Sequence, residues 1–225
     1  MIEIKSTQEY VISFFKAPIT TLQNHDLDFT GALILLGLLP FSVFLAVWSL
    51  LNRLIGTMVT TVTSSFGGLG ALLMPNATNM RAEMMASINW GGLFFGVLFI
   101  VATWFALMMF MPVLITKMMK NIETICLKEL FTQLVAMTIP MAVLFLVATV
   151  LGFVGLPLWA MPVVVAVVVP ILLHLFIIGM TWNLGSDKTT YIVLATQVVA
   201  VIVVGLLAIH LFTNVGGSML DGMFW

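Results

Sequence analysis

The sequence predicts an all-α fold: a polytopic membrane bundle of about five transmembrane helices, with a short amphipathic helix at its N-terminus. Of the 225 residues, 62% are hydrophobic and only 8% are charged, whereas about 25% of the residues in a soluble domain are charged. So few charges do not cover a water-exposed surface, and lipid must cover most of it. Residues 130–182 contain no Asp, Glu, Lys or Arg, and each half of this segment exceeds the roughly 20 residues that a bilayer span requires.

Charge and cysteine content exclude several classes of function. The net charge of −1 provides no basic surface for nucleic acid, so we expect no nucleic-acid partner. The single cysteine, Cys126, has no partner for an internal disulfide, and no Cys/His group has the spacing of a metal site. No phosphate-binding glycine loop and no HExxH or GxSxG motif occurs. The expectation is therefore a protein that is not an enzyme and has no catalytic residues, metal or cofactor.

Residues 1–28 are expected to form a cytoplasmic, amphipathic segment before the first span. The pattern from Ser6 to Glu9 fits a capping box, in which a Ser and a Glu side chain satisfy free amides at the start of a helix. Apolar side chains then recur at helical spacing and share one face. They are Val11, Phe14, Phe15, Pro18 and Leu22. This face packs against the bundle or lies on the membrane surface, and the sequence leaves both alternatives open.

Hydropathy divides the membrane domain, residues 29–212, into five spans. Tryptophans near span ends, such as Trp48 and Trp90, fit the aromatic belts of membrane proteins. Prolines inside the first, third and fourth spans are expected to bend or interrupt those helices, because proline removes a backbone hydrogen bond. The predicted spans are 29–51, 89–116, 130–153, 158–181 and 190–212.

The longest connection between spans covers residues 52–88. Its Thr, Ser and Gly residues between 57 and 70 make it too polar and flexible for a predicted span. Its apolar content is nevertheless too high for a free linker. We expect this connection to lie at the membrane interface or to re-enter the membrane, the latter only where protein or water satisfies its backbone.

The distribution of basic residues predicts the orientation. With the N-terminus inside, the cytoplasmic segments carry all six lysines, and the outer segments carry both arginines, Arg53 and Arg81. The lysines are Lys5, Lys16, Lys117, Lys120, Lys128 and Lys188. Because cytoplasmic loops carry the excess of Lys and Arg, we expect a cytoplasmic N-terminus and an outer C-terminal tail over residues 213–225.

Small residues within the spans mark candidate helix-packing positions. Gly92 and Gly96 are four residues apart in the second span, and Ala148 and Gly152 have the same spacing in the third. Small side chains at this spacing let two helix backbones approach closely.

One ionisable residue, His174, lies deep within a span and marks a candidate intramembrane polar site. Such residues are functional by default in a membrane. A functional His174 would sense a proton or ligand, together with Gln133 or Gln197. A structural His174 would instead donate a hydrogen bond to a backbone carbonyl or to a neighbouring helix. Both interpretations remain open.

The order of features resembles the Yip family, five-span membrane proteins named for their interaction with Rab/Ypt GTPases, and in particular its bacterial branch. The features are the aromatic pair and proline of Phe14-Phe15-x-x-Pro18, the lysine-containing loop from Lys117 to Lys128, and the tight hairpin from Gly152 to Pro157. The resemblance covers most of the chain and rests on this layout. It implies a five-span helical bundle with a cytoplasmic N-terminus.

The leading functional hypothesis is a multi-pass protein of the cell membrane, specifically a bacterial cytoplasmic membrane, that scaffolds or organises partners. Its expected partners are the lipid bilayer and other membrane proteins or copies of itself. The alternative is a small-molecule or ion transporter or channel, or the membrane subunit of a permease. Proline-interrupted spans favour this alternative, because discontinuous helices often form the binding sites of carriers.

Overall fold

The protein is helical almost throughout in the computed structural model. The structure describes residues 7–18, 20–21, 27, 29–65, 77–118, 127–182 and 186–224. Its helices are α1 (Thr7–Lys16), α2 (Phe29–Ser65), α3 (Ala77–Ser87), α4 (Trp90–Met118), α5 (Leu127–Gly152), α6 (Leu156–Trp182) and α7 (Ser186–Phe224). Five of them, α2 and α4 to α7, are long and apolar enough to cross a bilayer. The predicted all-α bundle of five spanning helices is therefore confirmed.

Helix α2 continues well beyond the predicted end of the first span at residue 51. The part of the expected 52–88 connection that precedes Ser65 is thus regular helix, while residues 66–76 lie outside the described residues. Its hydroxyl groups bond back to the helix: Thr57 donates to the carbonyl of Arg53 at 2.9 Å, and Thr60 and Ser65 bond one turn back in the same way. These bonds satisfy the hydroxyl donors inside the helix, so the polar sequence does not end it.

Helices α2 and α7 are too long for the bilayer alone. With 37 and 39 residues they extend about 55 and 58 Å at 1.5 Å per residue, against a hydrocarbon core of about 30 Å. Helix α3 packs against both of them. We call this group, the C-terminal parts of α2 and α7 together with α3, the helical projection.

The helical projection has a small apolar core of its own. Ile55 and Val59 of α2 are four residues apart and therefore share one helical face. They are buried together with Met84 of α3 and Val215 of α7. Packing against these side chains, rather than strong amphipathicity, places α3 in the bundle.

Helix α5 lies at the centre of the bundle. Half of its most apolar window is buried, against a third or less in the other spanning helices. It packs most extensively on α2 and α6, and α4 pairs with α7. Every residue from Leu130 to Ile139 except the half-buried Phe131 is buried, so this half of α5 has neighbours on nearly all sides.

Helix α1 packs against the same end of the bundle as the start of α5. Tyr10 and Phe14, four residues apart, are buried in the core cluster that contains Leu130 and Leu134. Phe15 is 57% exposed, so it does not enter this core cluster together with Phe14. Adjacent helical residues point about 100° apart, and only one ring of the pair enters the core. Leu22 lies outside the described residues.

The spanning helices are continuous through their prolines. Pro40 lies within α2, Pro140 within α5, and Pro162 and Pro170 within α6. The predicted interruption of the spans therefore does not occur, and bending at these prolines stays a prediction. The described spans therefore lack the discontinuous helices that favoured a carrier.

Candidate functional site

The structure brings together two of the three predicted intramembrane polar residues, His174 of α6 and Gln197 of α7. The amide nitrogen of Gln197 lies 3.3 Å from Nδ1 of His174 and 3.5 Å from the sulfur of Met108 on α4. His174 is fully buried and Gln197 is 8% exposed. A polar group in hydrocarbon requires a partner, so this contact joins α6 to α7 and, through Met108, to α4.

The second ring nitrogen of His174, Nε2, has no hydrogen-bond partner among the described residues. If the Gln197 amide donates to Nδ1, the neutral ring carries its proton on Nε2, which is then a donor without an acceptor. If the Gln197 carbonyl accepts from Nδ1, Nε2 is an acceptor without a donor. In either tautomer, Nε2 of His174 is left without a hydrogen-bond partner among the described residues.

Gln133, the third predicted member, is not bonded to His174. It is buried in the first half of α5, near the core cluster that contains Leu130 and Leu134. Nδ1 of His174 contacts Gln197, and Nε2 has no described partner. The polar site of the described bundle therefore consists of His174 and Gln197 without Gln133.

A cavity of about 210 Å³ lies next to Gln197 at the middle of the bundle. All five spanning helices contribute to its wall, including Leu39 of α2, Trp104 of α4 and Met141 of α5. Gln197 supplies the amide in an otherwise apolar lining. Val167 of α6 is 55% exposed and Val201 of α7 is 62% exposed, so the cavity opens sideways between α6 and α7.

This arrangement suits an apolar guest better than an ion. The lining contains no charged side chain, and the described residues include no group of three His, Cys, Asp or Glu side chains that could hold a metal. The Gln197 amide can bond one polar atom of a guest. The cavity thus has the chemistry of a small site for a lipophilic molecule with one hydrogen-bonding group.

Three of the four predicted helix-packing residues lie between helices. Ala148 is fully buried. A Cβ atom at Gly152 would lie 2.6 Å from the Ser49 hydroxyl of α2 and 2.9 Å from Cδ1 of Trp159 on α6. A Cβ atom at Gly96 would collide with the side chain of Leu211 on α7.

Gly92, the fourth, is exposed and meets no neighbouring helix among the described residues. A Cβ atom there would meet the side chain of Asn89, whose carbonyl oxygen accepts a hydrogen bond from the Gly92 amide at 2.9 Å. This contact is the N-terminal cap of α4. Gly92 therefore accommodates its own helix cap, and Gly96 accommodates a neighbouring helix.

Two polar contacts between helices were not predicted from the sequence. Trp159, at the start of the predicted fourth span, donates its indole N–H to the carbonyl oxygen of Ala46 at 3.0 Å. Met108 contacts Gln197, and a methionine in an apolar run has no pattern that marks it as a polar partner. The one available signal was a Trp at the start of an apolar span, because its N–H needs an acceptor there.

Five apolar spanning helices, joined by buried polar contacts between them, define an integral, multi-pass membrane protein of the helical-bundle class. No protein-family model, no curated protein and no solved structure matches this chain.

Proposed function

We propose that this protein is a non-enzymatic scaffold that organises partner proteins in the membrane. The helical projection is the observation that supports this proposal best. It is built from two spanning helices that continue past the bilayer and from α3, which packs on both. With a cytoplasmic N-terminus, as the basic residues predict, the projection faces outward from the cell membrane.

The exposed surface of the projection has the character of a contact surface for polar partners. Its exposed side chains include Thr57, Thr60 and Thr61 on α2, and Arg81 and Glu83 on α3. The hydroxyl oxygens of Thr57 and Thr60 can still accept hydrogen bonds, because their protons bond within the helix. A rigid surface of this kind presents a partner with fixed positions, which lowers the entropy cost of binding.

The proposal agrees with the Yip-like layout. In that resemblance the relevant partners are other membrane proteins or further copies of the chain. The projection would then determine which partners gather around the bundle, while the lipid-facing surfaces of α4, α6 and α7 keep the protein in the bilayer.

Photocrosslinking in native membranes tests the scaffold. A photoreactive amino acid at Thr60 or Glu83, both exposed on the projection, should give discrete protein adducts. The same amino acid at Phe99, which is 61% exposed on α4 and faces lipid, is the control and should give no such adduct. Met84→Asp should remove α3 from the projection and abolish the adducts from Thr60 without preventing membrane insertion. A lack of protein adducts from both projection positions would contradict the proposal.

Binding or transport of a lipophilic small molecule is a second candidate function. The cavity of about 210 Å³, with the Gln197 amide in an otherwise apolar lining, favours it. Reconstituted vesicles should then show uptake or flux of a lipophilic solute, and Val201→Trp at the cavity opening should reduce it. Absence of flux across a broad solute and ion panel would leave the scaffold as the function.

A further inference from the structure

A polar pocket of about 450 Å³ lies at the base of the helical projection, and both arginines of the chain line it. Its remaining lining residues are Asn52, Gly56, Thr57, Thr60, Thr61 and Phe153. The α2 members recur at helical spacing and share one face of that helix. A water molecule occupies about 30 Å³ in the liquid, so the pocket has room for a group of many atoms.

The two arginines belong to different helices and line the same pocket. Arg81 of α3 donates to the side-chain oxygen of Asn52 on α2. Its guanidinium lies against the α2 backbone, because a Cβ atom at Gly56 would be only 3.7 Å from the Arg81 Cζ. Arg53 lines the same pocket from α2.

The charge of the pocket is not balanced by its own lining. No carboxylate lines it, and no ion pair joins Arg53 or Arg81 to an acidic side chain among those that the structure describes. Glu83 is two residues from Arg81, and residues at that spacing do not face each other on a helix. Among the residues that the structure describes, two arginines and no carboxylate therefore line the pocket.

Hydrogen-bond donors in the pocket come chiefly from the arginines. The hydroxyls of Thr57 and Thr60 donate to the carbonyls of Arg53 and Gly56 within α2, at 2.9 and 2.8 Å. A guanidinium has five N–H donors, and Arg81 uses one on Asn52. The remaining donors form a set that matches the oxygens of a phosphate group.

The pocket meets the apolar surface of the bundle at Phe153, in the turn between α5 and α6. The ring of Phe153 packs edge-on against Trp48, with centroids 5.6 Å apart. Tryptophan side chains such as Trp48 are enriched at headgroup level. Val150 and Val154, which are 66% and 62% exposed, continue the apolar surface from Phe153 and offer a path for acyl chains.

From this placement we propose that Arg53 and Arg81 form a binding site for the phosphate group of an anionic phospholipid. The headgroup phosphate lies between the two guanidinium groups, and the acyl chains run past Phe153 into the bilayer. An anionic lipid binds more tightly than a zwitterionic one, because the pocket carries two positive charges and no lining carboxylate. The site shares Thr57, Thr60, Thr61 and Arg81 with the exposed surface of the helical projection, and it is separate from the intramembrane cavity.

Native mass spectrometry of the full chain from lipid nanodiscs tests the site. Wild-type protein should retain phosphatidylglycerol in preference to phosphatidylcholine. Arg53→Gln and Arg81→Gln should each weaken that retention by about tenfold, which is the effect of losing one hydrogen bond to a charged group. Lys188→Gln removes one positive charge from an exposed lysine at the start of α7 and is the matched control, expected to leave retention unchanged.

Two further measurements distinguish a bound lipid from a bound inorganic anion and from a loss of fold in the variants. Asn52→Ala removes the Asn–Arg hydrogen bond but keeps both charges, so it should weaken retention less than Arg81→Gln, and circular dichroism should show the same helix content in all variants. Inorganic phosphate at millimolar concentration should compete only weakly. Equal retention by wild type and both arginine variants would overturn the site. Tight binding of inorganic phosphate without a preference for phosphatidylglycerol would overturn the lipid as its ligand.

Discussion

Trp159 of α6 and Ala46 of α2 are joined by a hydrogen bond from the indole N–H to the backbone carbonyl, at 3.0 Å. The hydroxyl of Ser49 donates to the same carbonyl oxygen at 2.9 Å. Gly152, at the end of α5, lies against both donor side chains, and a Cβ atom there would be 2.6 Å from the Ser49 hydroxyl. Three helices thus meet at a point where only a glycine fits.

Gly152→Ala should destabilise the bundle. The added methyl group lies too close to Ser49 and Trp159, and overpacking of this kind costs about 1–3 kcal/mol. Gly205→Ala is the matched control, since a Cβ atom at that glycine in α7 meets no heavy atom within 4 Å. Unfolding in detergent, followed by circular dichroism, measures both variants. Equal stabilities of the two would contradict the close contact at Gly152.

Trp159→Phe should cost less than Gly152→Ala. It keeps an aromatic ring but removes the N–H that bonds to Ala46, and hydrogen bonds between membrane helices contribute about 0.6 kcal/mol on average. The same unfolding measurement checks the value. A loss of several kcal/mol would mean that the ring, rather than the hydrogen bond, holds α6 to α2.

The small-residue pattern illustrates how far the sequence predicts this fold. It identified Gly96 and Gly152, both of which lie against another helix, because close approach needs a small residue whatever the partner. It also selected Gly92, which accommodates a helix cap. Spacing alone does not separate these cases, since the identity of the facing helix depends on how the whole bundle packs.

For residues 52–65 the sequence-based prediction underestimated the length of the first helix. Their Thr and Ser residues make this segment too polar for a predicted span, so the sequence predicts a connection after residue 51. In the structure those hydroxyls bond to carbonyls one turn back, as at Thr60. Burial of Ile55 and Val59 against α3 and α7 then stabilises the helix. That tertiary packing is absent from any local pattern.

Gly96 and Gly92 should respond differently to enlargement. Gly96→Leu should separate α4 from α7, because even a Cβ atom collides with Leu211. Gly96→Ala should be milder, since the end of a leucine side chain can move aside. Gly92→Leu should affect only the Asn89 cap, at a cost of about 1 kcal/mol. Detergent stability should therefore fall most for Gly96→Leu, and the reverse order would contradict this assignment.

The orientation can be tested at two exposed residues, Glu83 of α3 and Lys188 of α7. In a background where Cys126 is replaced by serine, Glu83→Cys should react with a membrane-impermeant thiol reagent in intact cells. Lys188→Cys should react only after the membrane is permeabilised, because the lysines are predicted to be cytoplasmic. Labelling of Lys188→Cys in intact cells, with Glu83→Cys protected, would invert the orientation.

At the intramembrane polar site, as at the glycines, the sequence identifies the residue but not the neighbour that it contacts. His174 is identifiable because an ionisable residue in an apolar run is rare. Its partner is not, because Gln133 and Gln197 are equally polar and both occur within spans. Only the packing of α6 against α7 and α4 selects Gln197, and the same packing adds Met108.

A double-substitution cycle distinguishes a structural His174 from one that handles protons. His174→Leu leaves the Gln197 amide without its histidine partner, and Gln197→Leu leaves both ring nitrogens of His174 unpaired. Each should cost about 1–3 kcal/mol, the penalty of an unsatisfied buried polar group. The double leucine variant removes both polar groups, so its cost should be well below the sum of the two. His174→Gln should be tolerated better than His174→Leu, because an amide can still pair with Gln197.

Functional assays of the same variants complete the distinction. If His174 is structural, His174→Gln should retain partner crosslinking or flux, and His174→Leu should lose it in proportion to its lost stability. If the imidazole carries a proton during function, both variants should fail equally while remaining folded, because neither glutamine nor leucine titrates. We expect the structural result, since the described contacts of His174 join helices through a neutral amide and no carboxylate lines the adjoining cavity. Equal loss of function in well-folded Gln and Leu variants would instead make transport the leading function.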